Sequence, residues 1–164
     1  MPKLRDRVAV IVDSAASLPK NIAEDVYMYI VPMRITFQDR TYLDGQDILP
    51  GEFYQLLERI NERPITSAPS PKSFLDAFRA ASKVSSSVVC ITVSHRFSAS
   101  YYSANSAVIE AMREMPDTRF VVIDSDSAAG GQGLIASEAW RASRDGAELD
   151  QVILATRRVV SSVF

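Results

Sequence analysis

VAVIVDS at 8–14, VVCITVS at 88–94 and FVVIDS at 120–125 decide the fold of this chain. Each is a short, largely β-branched run bounded by turn chemistry, the pattern of a strand buried on both faces. Each ends on an acid, a hydroxyl or both, and each leads within a few residues into a helix-like stretch. Strands that alternate with helices in this way form βαβ units. The fold class expected is therefore α/β, three-layer, with a mostly parallel sheet and helices on both faces. In such an open sheet, ligands settle in the crevice beyond the carboxyl ends of the strands. That rule puts Asp13, Ser14, Ser94, Asp124 and Ser125 where a small polar or anionic group would bind.

The intervening segments follow the same logic. SLPKNIAED predicts a short helix with Ser17 as N-cap and Pro19 near its first position. YIVPMRITFQDRTYLDG predicts a strand and a hairpin that turns near Gln38–Arg40 and closes at Asp44–Gly45. From Gly51 to Asn61, Phe53, Leu56, Leu57 and Ile60 recur at helical spacing. PITSAPSPKS (64–73) is dense in proline and hydroxyls and reads as an irregular loop, after which Phe74 and Phe78 open another amphipathic helix. A long helix follows the 88–93 strand, with Ser98 at its N-cap. DSDSAAGGQG (124–133) reads as a small-residue loop before a helix around Leu134–Ser143. A last helix from about Glu148 stacks Leu149, Val152, Ile153, Thr156, Val159, Val160 and Val163. It runs into VVSSVF, which reads as a chain cut at the edge of a second domain; the competing reading docks that apolar end on this domain.

Bulk properties narrow the function. The length, 164 residues, suits one domain that buries roughly 70% of its unfolded surface. With 18 basic and 20 acidic residues, a net charge of −2 leaves no electrostatic footprint for nucleic acid. The apolar runs fall far short of the roughly 20 residues that span a bilayer, so no stable membrane insertion is expected. Lys3, Arg5 and Arg7 precede the first run as in a signal peptide, but the run is short and Asp13 interrupts it, so the chain is read as cytoplasmic. One cysteine, Cys90, excludes an internal disulfide, and one histidine, His95, leaves no metal-ligand spacing.

Two hydroxyl-rich loops carry the best candidate chemistry. TSAPSP (66–71) presents Thr66 and Ser67 in a proline frame, and SHRFSAS (94–100) brings Ser94, Ser98 and Ser100 to the start of a helix. Helix N-termini and neighbouring hydroxyls together hold an anion without Arg or Lys. The plainer account makes these residues caps and turn formers.

IVDSAASLP, IVPMRITFQDRTYLDGQDI, EFYQLL, TSAPSP, SHRFSASYYSA and VIDSDSAAGGQG, in this order, resemble the DegV family of fatty-acid-binding proteins. The match spans most of residues 8–146, and TSAPSP is its most specific piece. The resemblance implies a two-domain α/β protein with a long-chain fatty acid buried at the domain junction. It implies that Thr66 and Ser98 hold the carboxylate; Ser67, Ser94, Ser100, Asp13, Ser14, Asp124 and Ser125, at the neighbouring loops and strand tips, then read as residues lining or bracing that site. It further implies a carrier that presents the acid to a separate fatty acid kinase, with no cofactor and no catalysis of its own. Two departures stand out. The family's Gly-Thr after the binding Ser is Ala99–Ser100 here, and the family's second domain, with its His and part of the acyl lining, is absent after 164. Residues 1–164 are thus expected to form a single α/β lipid-binding domain that binds acyl chains poorly alone.

The rival readings rest on fewer residues. A hydrolase using Ser98 would need His95 as base from the same turn, and no Gly-x-Ser-x-Gly elbow is present. The AGGQG run lacks the spacing of a nucleotide-binding loop. Asp13 and Asp124 read as loop braces more readily than as metal ligands. A plain interaction domain, with Val159–Phe164 as its contact surface, is the remaining alternative. Trp140, Phe74 and Phe78, together with Tyr101 and Tyr102, read as packing residues.

Overall fold

The computed structural model describes residues 7–59 and 62–163; Lys3, Arg5, Ile60, Asn61 and Phe164, all named above, lie outside them. The three decisive runs form strands β1 (Ala9–Asp13), β6 (Ser87–Thr92) and β7 (Arg119–Asp124). Between β1 and β6 lie α1 (Lys20–Ala23), β2 (Met28–Val31), β3 (Arg34–Phe37), β4 (Arg40–Leu43), α2 (Pro50–Leu57), β5 (Ile65–Ser67) and α3 (Pro71–Ser82). Helix α4 (Ser100–Glu114) joins β6 to β7, and α5 (Ala129–Arg144) and α6 (Leu149–Val160) complete the chain.

The main sheet has the order β2-β1-β6-β7 with every pair parallel. Alternate side chains leave it in opposite directions. Val10, Val12, Val89 and Ile91 pack with Ile135, Ala136 and Ala139 of α5 and with Leu149 and Val152 of α6. Ala9, Ile11, Val88 and Cys90 pack with Phe74 and Phe78 of α3 and with Ala104, Ala107 and Ala111 of α4. Phe78 and Phe120 meet edge to face, with ring centroids 5.3 Å apart. This is the three-layer arrangement that the periodicity predicts.

The chain moves from β1 to β2 on one side and later to β6 on the other. The tips of β1 and β6 therefore flank a topological switch point, where a crevice opens in such sheets. A second sheet, antiparallel with order β4-β3-β5, stands at that end. Its hairpin turns on Gln38 and Asp39, with φ of 50° and 57°, a two-residue turn whose twist matches the strands. Ile35, Phe37 and Ile48 form its own small core, covered by Tyr42 and by Phe53 and Leu56 of α2.

Four expectations need correction. Residues 65–67 are not irregular: they pair with β3, Thr66 opposite Ile35, because the hairpin leaves a free edge and Ile-Thr suits a strand. The prolines bound this strand instead of dissolving it. Helix α5 begins at Ala129, so Gly130, Gly131 and Gly133 are helical. Gly133 lets the helix approach the turn after β1, where a Cβ would stand 2.4 Å from the Ala16 carbonyl oxygen. Ser98 does not cap α4, whose N-cap position is Ala99; its hydroxyl accepts from the Ser100 N–H one residue earlier than expected. Ser17 is likewise not the cap of α1, which Pro19 precedes directly. At the C-terminal side, Val159, Val160 and Val163 pack half-buried against the core.

Candidate functional site

The β6–α4 turn is built by hydroxyls and one buried carboxylate. The Ser94 carbonyl accepts from the Phe97 and Ser98 N–H groups (2.9 and 3.1 Å), and Ser94 Oγ accepts from the Arg96 N–H. Asp13, at the tip of β1 and fully buried, accepts from the Val93 N–H at 2.9 Å and from Gln132 Nε2 of α5 at 3.0 Å. Burial pushes its carboxyl above the usual aspartate range, opposed by hydrogen bonds from Gln132, the Val93 N–H, the Ser100 hydroxyl and the Ala15 N–H. Two loops, the sheet and α5 are thus tied to one carboxylate.

In front of this brace lies a pocket of about 260 Å³ whose walls include Thr66, Ser98, Ala15, Met33, Val93 and Phe97. Thr66 arrives on the edge strand β5 and Ser98 on the β6–α4 turn, from opposite sides. Ile35 and Asp44 also line it and are shared with a larger groove of about 650 Å³. Leu18, Ile30, Pro32, Pro50, Phe53 and Tyr54 give that groove an apolar wall. No Lys or Arg lines either cavity among the described residues. The polar donors at the pocket are neutral hydroxyls beside the start of α4, whose dipole favours an anion. Asp44 is the one acid on the wall among the described residues, and its Oδ2 accepts the Ser14 hydroxyl at 2.6 Å.

The remaining candidates separate by position. Ser14 sits in the larger groove, where its hydroxyl also accepts from the Met33 N–H. Ser94 and Ser100 are buried beneath the pocket. Ser67 is exposed at the end of β5 and lines neither cavity. Asp124 and Ser125 brace the turn after β7: Asp124 binds His95, and the buried Ser125 bonds Ser127 in both directions. His95 Nδ1 pairs with Asp124 Oδ2, and the ring lies near Tyr101 and Tyr102. The Ser98 hydroxyl donates to Ser100 and not to His95, so the geometry of a nucleophile and its base is lacking. Tyr102 is exposed, unlike the packing residue expected, because α4 turns it away from the core. No group of three or more metal-ligating side chains occurs among the described residues.

Met33, Ile35, Asp44 and Gln132 are site residues that the sequence reading did not single out. Asp44 belongs to the Asp44–Gly45 turn that closes the hairpin, and Gln132 is the one long polar side chain in a run of small residues. For Met33 and Ile35 the sequence offers no signal beyond strand pattern.

A switch-point crevice with hydroxyls at its mouth and an apolar groove beside it defines the class: an α/β domain with a candidate ligand crevice. The family model described as "Uncharacterised protein, DegV family" matches residues 7–163, and the chain belongs to the DegV family. A DegV domain-containing protein of Caldanaerobacter subterraneus is 32% identical over 149 residues, 90% of this chain and 51% of that one. One from Clostridium perfringens is 31% identical over 162 residues, 97% of this chain and 57% of that one. The chain spans about half the length of the curated relatives it matches. Among solved structures, a fatty acid (stearic acid)-binding protein from Eubacterium ventriosum superposes with TM-score 0.82 at 33% identity, over 92% of this chain and 52% of that one. A fatty-acid-binding DegV family protein from Thermus thermophilus gives TM-score 0.81 at 26% identity, over 94% and 54%. No helix among the described residues is long and apolar enough to cross a membrane.

Proposed function

We propose that this chain binds a long-chain fatty acid by its carboxylate and presents it, in the cytoplasm, to a fatty acid kinase. On this reading it is a carrier and not a catalyst. The Thr66 and Ser98 hydroxyls donate to the head group, and the acyl chain leaves past Ile35 along the apolar groove. The observation that carries the reading is the meeting of Thr66 and Ser98 in one pocket that opens onto an apolar groove without any Lys or Arg. Hydroxyls and a helix start stabilise an anion but supply neither acid nor base, which suits a carrier. The binding properties of the Eubacterium and Thermus proteins point the same way.

Native mass spectrometry of the chain purified from a bacterial host tests this. A co-purified long-chain fatty acid, or saturable uptake of labelled stearate, is the expected result. A protein extended to the length of these relatives that still emerges empty and takes up no stearate overturns it. For the partner, formation of acyl phosphate from ATP by a fatty acid kinase should require the loaded chain.

A further inference from the structure

The head-group pocket has hydroxyls at one end and a lone acid at the other. One wall is a face of the small sheet. Thr66 on β5 stands opposite Ile35 on β3, and Ile35 stands opposite Tyr42 on β4. Side chains two residues apart along a strand share a face. Met33 and Asp44 therefore point the same way as Ile35 and Thr66, and all four line the pocket. Asp44 follows β4 directly and extends its ladder by one step, the Asp44 N–H donating to the Met33 carbonyl at 2.9 Å. Among the described residues, only Ile35 and Asp44 line both the pocket and the larger groove. A chain that leaves the pocket for the groove passes over Ile35 and along Asp44.

A closed ring of hydrogen bonds fixes the Asp44 carboxylate in this place. Besides the backbone bond to Met33, the Met33 N–H donates to Ser14 Oγ at 3.0 Å, and the Ser14 hydroxyl donates to Asp44 Oδ2. The ring uses the one proton of the Ser14 hydroxyl, so Ser14 has none for a ligand. It leaves Asp44 Oδ1 without a partner, and no Lys, Arg or His pairs with Asp44 among the described residues. An unsubstituted acyl chain lays methylenes against that oxygen and removes its water with no bond in exchange, which is unfavourable for a charged group. It also sets the ligand carboxylate near a second carboxylate with no proton donor between them.

A hydroxyl on the acyl chain removes both conflicts. Strands β5 and β4 stand about 9.5 Å apart, two strand spacings, with β3 between them. Two hydrogen bonds of about 2.8 Å each, one at Thr66 and one at Asp44, leave room for a carboxyl group and the next two carbons. A hydroxyl on the third carbon of the acid then donates to Asp44 Oδ1, while the carboxylate accepts from Thr66 and Ser98. Ile35 supplies the apolar floor beneath the carbons between them. Resting on the head-group reading above, we propose that Asp44 is a specificity-determining residue and that this site takes 3-hydroxy fatty acids in preference to unsubstituted ones.

The test is displacement of a fluorescent fatty acid from the protein extended to the length of its relatives. The competitors are myristate and each enantiomer of 3-hydroxymyristate. Wild type should bind one enantiomer roughly tenfold or more tighter than myristate, as expected for a hydrogen bond to a charged group. 12-Hydroxystearate should show no such gain over stearate, because its hydroxyl lies far from Asp44. Asp44→Ala should abolish the gain. Asp44→Asn, whose amide is uncharged, should reduce it to a few-fold while keeping an acceptor for Ser14 and a favourable residue before Gly45. Both variants should bind plain myristate at least as tightly as wild type. The comparison of ligands in wild type stands by itself should a variant fold poorly. Equal affinity of wild type for myristate and both enantiomers overturns the proposal and leaves the head-group reading standing. So does a gain that 12-hydroxystearate shares, or one that survives in the Asp44 variants. Failure of the extended protein to bind any of these acids overturns the head-group reading, and the proposal with it.

Discussion

Thr66→Val probes the head-group site with the least disturbance. The residue is exposed on the edge strand β5, its backbone held opposite Ile35, and its hydroxyl has no intramolecular partner among the described residues. Valine keeps the shape and the strand preference, so stability should move by less than about 0.5 kcal/mol, as for surface changes generally. Binding should move much more. A hydrogen bond to a charged group contributes about 1.5–3 kcal/mol, a loss of roughly ten- to 140-fold in Kd. Ser98→Ala should cost the same in affinity, plus about 0.5–1.5 kcal/mol of stability for the bond it accepts from the Ser100 N–H. Equilibrium displacement of a fluorescent fatty acid by stearate gives the Kd values, and stearyl alcohol, which carries no charge, serves as control. The alcohol should bind the variants almost as it binds wild type. Unchanged stearate affinity in both variants would refute the placement of the carboxylate between these two loops.

Further expectations concern the scaffold. Gly133→Ala sets a methyl 2.4 Å from the Ala16 backbone oxygen, so α5 must shift; about 1–3 kcal/mol should be lost in urea unfolding. Phe78→Ala empties a fully buried site against Phe120 and should cost about 3–5 kcal/mol by the same measure. Asp39→Gly relieves a left-handed residue in the hairpin turn and should gain up to about 1 kcal/mol. Because the Asp13 carboxyl titrates above its unfolded value of 3.8, its contribution to stability is largest below that value and is lost as pH rises through the folded value. Asp13→Asn should therefore flatten the fall of Tm with pH on the alkaline side of pH 4.

Periodicity carried the architecture. Runs such as VVCITV have no polar face, so only a strand covered on both sides accommodates them, and Ala104, Ala107 and Ala111 mark the face that α4 lays on it. Local cues misled where tertiary contact decided. Proline and serine around Ile65–Ser67 argue for a loop, yet the unpaired edge of β3 recruits those residues as a strand, and that pairing brings Thr66 to the pocket. The glycines of AGGQG look like loop residues, but they open helix α5, and Gly133 there meets the turn after β1 at the Ala16 carbonyl. Asp13 was legible as a strand-tip acid. Its partner Gln132 was not, because a hydrogen bond across 119 residues leaves no trace in local pattern.

The most direct test of the account is a crystal structure of the chain with stearate bound. The account predicts carboxylate oxygens about 2.5–3.0 Å from Thr66 Oγ1 and Ser98 Oγ, with the acyl chain passing Ile35 into the groove. A carboxylate at the far end of the groove, or one held by Lys or Arg side chains elsewhere, would contradict it.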